Sequence, residues 1–249
     1  MKIVAIIPAR FGSTRFPGKM LALLQNKPVI VHTYESVFNT GLFDEVIVAC
    51  DDEAIYKAIQ LAGGKVVMTS PTHLCGTDRI AEAAGNLDAD IVVNIQGDEP
   101  FTQREPLEKL LAVFRNDVKA EIEIASLMQP LKLQEQIEDP NFVKVAIDLN
   151  GFALYFSRSV IPYNRNNIGA KYYEHIGVYA FRKSTLLKVT KLDPTPLEMA
   201  EQIECLRWLE YRIPLKMVIT EYNRIEIDTP EDLAMANNMM NRPVKNNQL

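Results

Sequence analysis

Three cations near the amino terminus lie in a loop whose composition is suited to binding an anion. Arg10, Arg15 and Lys19 are spaced among prolines and glycines in the run Ile-Pro-Ala-Arg-Phe-Gly-Ser-Thr-Arg-Phe-Pro-Gly-Lys, residues 7–19. A turn-rich backbone that combines cations with amide donors is what a polyphosphate needs. Solvated loop charges are the competing interpretation. The interleaving of these cations with turn residues favours the anion site.

The loop directly follows residues 2–7, an apolar, β-branched run typical of a strand buried on both faces. Parallel sheets bind ligands beyond the carboxyl ends of their strands, which is where this loop begins. The loop has neither the Gly-Lys-Ser/Thr of a Walker P-loop nor the G-x-G-x-x-G of a dinucleotide turn. An NAD-dependent oxidoreductase is therefore disfavoured.

Two aspartates are candidate metal ligands. Asp98 follows the strand-like residues 90–95 and the dipeptide Gln96-Gly97, and a carboxylate at a strand's end can hold a metal against a phosphate. A turn aspartate is an equally good interpretation. Asp228 ends the run Arg-Ile-Glu-Ile-Asp, but the Asp-Thr-Pro-Glu that it begins is also a good helix cap. For Asp228 alone, the local pattern favours the cap.

Other polar residues carry weaker signals. Gly76, Thr77 and Arg79 lie where a strand passes into a helix, and their backbone amides could cap that helix or contact a base or ribose. Arg158 ends an apolar strand and is suited to bidentate binding of a carboxylate, although a surface arginine would look the same. His175 could orient a substrate hydroxyl or be a hydrogen-bonded structural histidine.

Strand-like and helix-like segments alternate through the first half of the chain. This alternation predicts an α/β fold, with a mostly parallel sheet and helices on both faces. Gly41 and the pair Gly63-Gly64 fit helix ends. The predicted strands are 2–7, 45–50, 65–68, 90–95 and 121–127, and the predicted helices are 28–40, 52–62, 77–86 and 104–115.

The second half differs, because two short strands flank an Asn-Gly turn. Residues 142–147 and 153–157 surround Asp-Leu-Asn-Gly and predict a hairpin. We therefore predict a single nucleotidyltransferase domain over 1–249, in which 142–182 form an inserted hairpin or dimerisation region. Further predicted elements are strands at 175–181 and 215–220 and helices at 183–190 and 196–210.

Composition excludes several classes of protein. The chain has 249 residues, of which 47% are hydrophobic, enough for a substantial core. Its net charge of −5 argues against a general nucleic-acid binder. No apolar run is long enough to span a bilayer, and the first residues lack the pattern of a secretory signal. With three scattered cysteines, we expect a cytoplasmic protein.

Taken together, the motifs resemble those of the 3-deoxy-manno-octulosonate (Kdo) cytidylyltransferase family. The resemblance covers nearly the whole chain, from residue 3 to about residue 236, and six motifs occur in the family's order. These motifs are the loop 7–19, Val-Met-Thr-Ser at 67–70, Gly-Thr-Asp-Arg at 76–79, Asn-Ile-Gln-Gly-Asp-Glu-Pro at 94–100, Ala-Leu-Tyr-Phe-Ser-Arg at 153–158 and Asp-Thr-Pro-Glu-Asp-Leu at 228–233.

The resemblance implies transfer of CMP from CTP to the anomeric hydroxyl of Kdo, for lipopolysaccharide biosynthesis, with release of pyrophosphate. It also implies a homodimer and magnesium held by Asp98 and Asp228, which reverses the capping interpretation of Asp228. Catalysis is assigned to Asp98, Asp228, Lys19 and Arg10. The implied CTP-binding residues are Arg10, Gly12, Ser13, Arg15, Lys19, Gly76, Thr77 and Arg79. The implied sugar-binding residues are Gln96, Arg158, His175 and Glu204.

Two cysteines depart from the family pattern. Cys75 replaces a serine that usually precedes the Gly-Thr-Asp-Arg motif. Cys205 stands where relatives usually carry glutamine, and the resemblance places that position beside the sugar site. An 8-amino analogue of Kdo or a sialic-type sugar acid is therefore an alternative acceptor. A catalytically inactive nucleotide-binding module is a further alternative, which the presence of both Asp98 and Asp228 disfavours.

Overall fold

The structure is a computed structural model that describes residues 1–13, 15–73, 75–222 and 225–241. The chain divides into two compact units. The first unit contains residues 1–4, 84–94 and 104–222, and the second contains 5–83, 95–103 and 223–249. That the chain acts as one nucleotidyltransferase domain with an insertion at 142–182 stays a prediction.

The elements up to residue 94 alternate between strands and helices, largely as predicted. They are β1 (Ile3–Ala9), a 3-10 helix (Lys19–Leu21), β2 (Leu23–Leu24), β3 (Lys27–Pro28), α1 (Val29–Asn39), β4 (Glu45–Cys50), α2 (Glu53–Leu61), β5 (Lys65–Met68), α3 (Gly76–Ala84) and β6 (Ile91–Asn94). The short hairpin of β2 and β3 was not predicted.

The remaining elements include the predicted hairpin. They are α4 (Arg104–Arg115), β7 (Ile124–Leu131), α5 (Gln134–Glu138), β8 (Lys144–Ile147), β9 (Ala153–Ser157), β10 (Tyr172–Arg182), α6 (Lys183–Val189), α7 (Pro196–Glu201), α8 (Cys205–Glu210), β11 (Leu215–Ile219) and α9 (Pro230–Met240). Among the described residues, no helix has the length and apolar character needed to cross a membrane.

The fold is α/β with a mostly parallel central sheet, which confirms the predicted fold class. In the first unit the strand order is β11-β7-β10-β6, with β8 paired to β10 and β9 paired to β8. β11 runs parallel to β7, whereas β10 runs antiparallel to all three of its partners, β6, β7 and β8. In the second unit β4 and β5 are parallel. The alternation along the chain did not predict the antiparallel course of β10.

Close packing at the end of β1 brings residue 97 next to this strand. All seven residues of β1 are buried, as its apolar run predicted. A Cβ atom on Gly97 would lie only 2.8 Å from the backbone oxygen of Pro8 and 3.1 Å from side-chain atoms of Ile30 and Met20. Only glycine therefore fits without a shift of the backbone. This close approach sets the position of Asp98, the next residue.

The predicted helix over 196–210 is wrong in one respect, because the structure contains two helices there. α7 begins after the N-cap Thr195, whose N–H donates to the carboxylate of Glu198 at 3.2 Å, as in one half of a capping box. It ends at Gln202, whose φ of 55° is left-handed and cannot continue a right-handed helix. Glu204 then occupies the N-cap position of α8, without a side-chain hydrogen bond to that helix. Glu198, Glu201 and Glu204 therefore do not share one helix face.

Candidate active site

A cavity of about 260 Å³ lies within the second unit. It combines cationic, acidic and small residues that are distant in sequence, and it is lined from the loop after β1, the start of α3, the segment after β6 and the segment before α9. The lining residues are Pro8, Ala9, Arg10, Arg15, Lys19, Met20, His73, Cys75, Gly76, Arg79, Gln96, Gly97, Asp98, Glu226 and Asp228.

Lys19 occupies the centre of the charged part of this cavity. Its Nζ donates a hydrogen bond to Asp98 and another, at 2.7 Å, to Asp228 Oδ1. Arg15 contacts the other oxygen of Asp228 at 2.7 Å. Burial lowers the pKa of Lys19, but the charges and hydrogen bonds of Asp98 and Asp228 outweigh this effect and raise that pKa above its usual 10.5. The two carboxylates therefore create a position that favours a cation.

The backbone before Lys19 explains why this side chain points into the cavity. Gly18 has a φ of 71°, a left-handed conformation that glycine adopts without steric cost, and it begins the 3-10 helix. Lys19 N–H donates to the carbonyl of Phe16 at 3.1 Å, and Gly18 N–H donates to that of Phe11 at 3.4 Å. These hydrogen bonds form turns in the loop, as its Pro and Gly residues indicated.

The side chain of Asp228 can line the cavity because the next residue, Thr229, caps α9 in its place. Thr229 is the N-cap of α9, and its side chain accepts from Asp232 N–H while the Asp232 carboxylate accepts from Thr229 N–H. Pro230 fits the first turn. The capping motif recognised in the sequence is therefore real, but it begins one residue later than Asp228.

Glu226 is a cavity residue that the sequence interpretation did not include. One carboxylate oxygen from each of Asp98, Glu226 and Asp228 lies within 4.8 Å of the others. Carboxylate oxygens are the ligands that hard divalent cations prefer, so this donor set fits magnesium. The available signal was the alternation Ile-Glu-Ile-Asp over 225–228, which places Glu226 and Asp228 on one side of the backbone.

Asp51 is the second residue that the sequence interpretation missed. One of its oxygens accepts from Phe11 N–H in the cationic loop at 2.9 Å, and the other accepts from the guanidinium of Arg79 at 2.7 Å. The Arg79 side chain is only 3% exposed and also donates to Thr69 Oγ1. Asp51 thus connects the cationic loop to Arg79. No motif in the chain pointed to it.

The structure brings together most of the predicted nucleotide and metal residues. Those that line the cavity are Arg10, Arg15, Lys19, Gly76, Arg79, Asp98 and Asp228, and Gln96, which was predicted to bind the sugar, lines it as well. Among the residues that the structure describes, Gly12, Ser13 and Thr77 are not part of this lining. Gly12 is exposed, and Thr77 is only 1% exposed.

Of the predicted sugar-binding residues, Arg158, His175 and Glu204 belong to the first unit. The guanidinium of Arg158 donates from Nε to the carbonyl of Glu201 at 2.8 Å and from Nη1 to that of Pro140 at 3.0 Å. A third, long contact of 3.5 Å joins Nη2 to the carbonyl of Gln202. These contacts use three of the five N–H groups of an arginine. Within the described part of the chain, one N–H on each terminal nitrogen has no protein acceptor.

His175 lies in an aromatic environment on β10. It is 8% exposed, its Nε2 is 3.2 Å from Ser126 Oγ, and its ring packs against those of Phe156 and Tyr179. These contacts are typical of a hydrogen-bonded structural histidine, which is one of the two interpretations that the sequence left open. Glu204 is half-buried at the start of α8. Sugar binding by His175 and Glu204 stays a prediction.

The two unusual cysteines have different environments. Cys75 is half-buried and lines the cavity. Cys205 is fully buried, and its thiol forms a hydrogen bond with Tyr179. Burial raises the pKa of the Cys205 thiol far above the ordinary value of 9.0. That its position borders the sugar site stays a prediction, although the thiol itself has no exposed surface.

The cavity thus combines cations suited to a polyphosphate with three carboxylates whose oxygens could hold a divalent cation. Cations beyond a strand's end would bind the phosphates, and the acidic cluster is placed to hold a metal beside them. On an α/β fold this combination is typical of nucleotidyltransferases, which bind a nucleoside triphosphate and its counter-ion together.

Comparisons with known proteins identify the family. The sequence profile described as Cytidylyltransferase matches residues 4–219. Proteins named 3-deoxy-manno-octulosonate cytidylyltransferase are similar along their lengths. The one from Flavobacterium johnsoniae is 52% identical over 241 residues, covering 96% of this chain and 99% of the relative. The one from Christiangramia forsetii is 50% identical over 240 residues, covering 96% and 97%.

A solved structure gives the same result. CMP:2-keto-3-deoxy-manno-octonic acid synthetase complexed with CTP superposes with a TM-score of 0.91 at 38% identity, covering 96% of this chain and 98% of the other. The chain therefore belongs to the 3-deoxy-manno-octulosonate cytidylyltransferase family, which confirms the resemblance found in the sequence. It is a nucleotidyltransferase, as predicted.

Proposed function

We propose that this protein transfers CMP from CTP to the anomeric hydroxyl of Kdo and releases pyrophosphate, as a step in lipopolysaccharide biosynthesis. The observation that carries this function is the cavity in which Arg10, Arg15 and Lys19 meet the carboxylates of Asp98 and Asp228. It occurs in a chain similar over nearly its whole length to proteins named for this activity. These relatives favour Kdo over the 8-amino or sialic-type alternatives.

In this proposal Asp98 and Asp228 bind Mg²⁺, the cofactor that the resemblance implies. Bound there, Mg²⁺ would polarise the phosphoryl oxygens and offset charge that develops during transfer. The fit of the donor set and the cation-favouring position between the two aspartates support this assignment. Lys19 Nζ, which contacts both carboxylates here, can then exchange these partners for a phosphate oxygen.

Three cations have the role of stabilising the leaving group. Pyrophosphate departs with additional negative charge, and Arg10, Arg15 and Lys19 line the cavity in which this charge develops. Because these groups position and neutralise rather than bond covalently, catalysis is mainly orientation and electrostatics. Lys19 remains an ammonium throughout the neutral range, since its pKa is raised.

The remaining CTP-binding assignments divide between the cationic loop and the start of α3. Gly12 and Ser13 would offer the backbone and hydroxyl donors of the loop to the triphosphate. Gly76, Thr77 and Arg79 would form the cytidine side. Support for this comes from Gly76 and Arg79, which line the cavity. Arg79 has a fixed orientation because Asp51 and Thr69 both bind it.

The sugar acid would be bound by Gln96, Arg158, His175 and Glu204. Arg158 supports this assignment best, because its contacts with carbonyl groups fix the guanidinium and leave one N–H on each terminal nitrogen. That pair of donors matches the two oxygens of a carboxylate. Gln96 lines the cavity and could contact a sugar hydroxyl.

We further propose a cytoplasmic homodimer that acts on small molecules and binds neither nucleic acid nor membranes. The region 142–182 exposes large apolar side chains, including Leu149, Leu154, Tyr163 and Ile168. Exposed apolar side chains in this region support an interface there. Light scattering of the purified protein tests the dimer, and a monomeric mass at micromolar concentration would contradict it.

The function is tested by measuring pyrophosphate release with Mg²⁺, all four nucleoside triphosphates, and Kdo, 8-amino-Kdo and a sialic acid as acceptors. We expect release with CTP and Kdo and little with the other nucleotides. Equal rates with all four nucleotides would overturn the assignment. So would the absence of release with every sugar acid. Release that is fastest with another acid would change the acceptor but not the chemistry.

A further inference from the structure

We propose that Glu226 is a third carboxylate ligand of the divalent-cation site and that the site binds such a cation before the nucleotide arrives. This inference rests on the proposed metal role of Asp98 and Asp228 and extends it to a residue outside the recognised motifs. Three observations carry it: the way the 225–228 segment packs, its attachment to Asp98, and the charge balance around Lys19.

The first observation is the alternation of the segment before α9. Ile225 and Ile227 pack into a core cluster with Leu24 and Val29, and Ile227 is completely buried. The residues between and after them, Glu226 and Asp228, line the cavity instead. Because Ile227 is anchored in the core, the side chains on either side of it are held toward the cavity.

The second observation is a backbone contact that attaches this segment to the Asp98 turn. Ile227 N–H donates to the carbonyl oxygen of Asp98 at 2.9 Å. Asp98 itself follows Gly97, whose position is set by close packing against Pro8. The oxygens of Asp98, Glu226 and Asp228 that lie within 4.8 Å of one another are therefore held by core packing and backbone hydrogen bonds. Such support gives a metal site its affinity.

The third observation concerns charge. Lys19 and Arg15 contact Asp98 and Asp228. The Lys19 ammonium lies between the two aspartates with a single positive charge. Exchanging it for a divalent cation adds one positive charge, which a third carboxylate among the ligands would offset. The number of charged oxygen ligands is a main determinant of affinity for hard cations.

Binding of Mn²⁺ to the full-length, nucleotide-free protein, followed by the EPR signal of free Mn²⁺, tests the inference. We expect one site in the wild type and a ten- to hundredfold weaker Kd in Glu226→Gln, about the range that follows loss of a group supporting a metal site. The control is Glu231→Gln, which removes the same charge from an exposed position in the first turn of α9. It should leave the Kd unchanged.

The outcomes separate this inference from the proposed function. Equal Kd values for the wild type and a stably folded Glu226→Gln variant would overturn the role of Glu226. Absence of Mn²⁺ binding in the wild type would overturn the nucleotide-independent site, yet pyrophosphate release with CTP, Kdo and Mg²⁺ would still support the transferase. Normal Mn²⁺ binding without any release would instead leave the metal site standing and refute the function. Thermal unfolding of each variant shows whether it is folded.

Discussion

The polar residues assigned to the nucleotide and those assigned to the sugar acid have different surroundings. In the second unit, Lys19, Asp98 and Asp228 contact one another across a cavity. In the first unit, Arg158 and His175 are held by carbonyl, hydroxyl and ring contacts of their own unit. Charges that face a cavity can exchange partners with a ligand. A side chain that is held by its own unit is oriented before a ligand arrives, and it binds the ligand with its remaining hydrogen-bonding groups.

The same difference separates the two cysteines that depart from the family pattern. Cys75 lines the cavity, whereas Cys205 is buried beside Tyr179 and has a strongly raised thiol pKa. A change at Cys75 should therefore affect a ligand, and a change at Cys205 should affect packing. Four substitutions test how far this contrast between the two units extends.

The largest effect is expected for Asp98→Asn. It removes one carboxylate from the metal position and one of the two partners of the Lys19 ammonium, and loss of such an electrostatic group costs about 10³-fold in turnover. Pyrophosphate release at saturating CTP and Kdo measures this. Asp88→Asn, at a 95% exposed side chain, is the control and should be fully active. Full activity of Asp98→Asn at saturating Mg²⁺ would refute the metal role.

Arg158→Ala should mainly weaken sugar binding. Loss of a charged, bidentate contact costs about 2–3 kcal/mol, which corresponds to a KM for Kdo raised by about 30- to 160-fold. Thermal stability should also fall, because the carbonyls of Glu201 and Pro140 lose their donor. The exposed Arg165→Ala is the control. A loss of stability with an unchanged KM would make Arg158 a structural residue only. The contrast between the two units would then be stronger, because Arg158 would not bind the ligand.

Asp51→Asn tests whether the nucleotide cavity depends on a residue outside its lining that binds both Arg79 and the cationic loop. The amide can still accept from Phe11 N–H, but the nearly buried Arg79 loses its charged partner. We expect a roughly tenfold higher KM for CTP with an unchanged KM for Kdo, and a loss of stability of about 3 kcal/mol. Asp52→Asn is a matched control, since asparagine caps α2 as well as aspartate does. Equal changes in both KM values would argue against a specific link to CTP.

The smallest effect on activity is expected for Cys205→Ala, which should change neither KM by more than about twofold because the thiol is buried. Its effect is on the pH dependence of stability. Because the thiol pKa is raised above the unfolded value of 9.0, the folded state keeps this proton longer. The free energy of unfolding is therefore unaffected below pH 9 and decreases above it, by up to about 1.4 kcal/mol per pH unit.

Denaturant unfolding from pH 8 to 10.5 measures this dependence. The wild type should lose stability more steeply than Cys205→Ala above pH 9, and parallel curves would contradict the assignment. A raised KM for Kdo in Cys205→Ala would place the thiol beside the sugar after all. It would also weaken the contrast with Cys75.

Much of the fold followed from local patterns. The predicted strands at 45–50 and 65–68 coincide with β4 and β5, and the predicted helix at 104–115 coincides with α4. Periodicity and turn residues act between near neighbours in the chain, so the sequence reveals them directly. The break at Gln202 was missed because a left-handed glutamine has no strong sequence signal. The antiparallel course of β10 was missed because strand direction depends on distant pairing.

The amino-acid sequence was sufficient to define the cationic loop, Asp98, Asp228 and the family, because each is encoded in a contiguous motif and the motifs occur in a specific order. Tertiary structure was needed to find Glu226 and Asp51 and to show that Cys205 is buried. Residues 19, 98 and 226 meet only because distant parts of the chain pack together, with Ile227 anchored in the core and Gly97 against Pro8. Contacts of that range depend on the packing of the whole unit, which no short motif encodes.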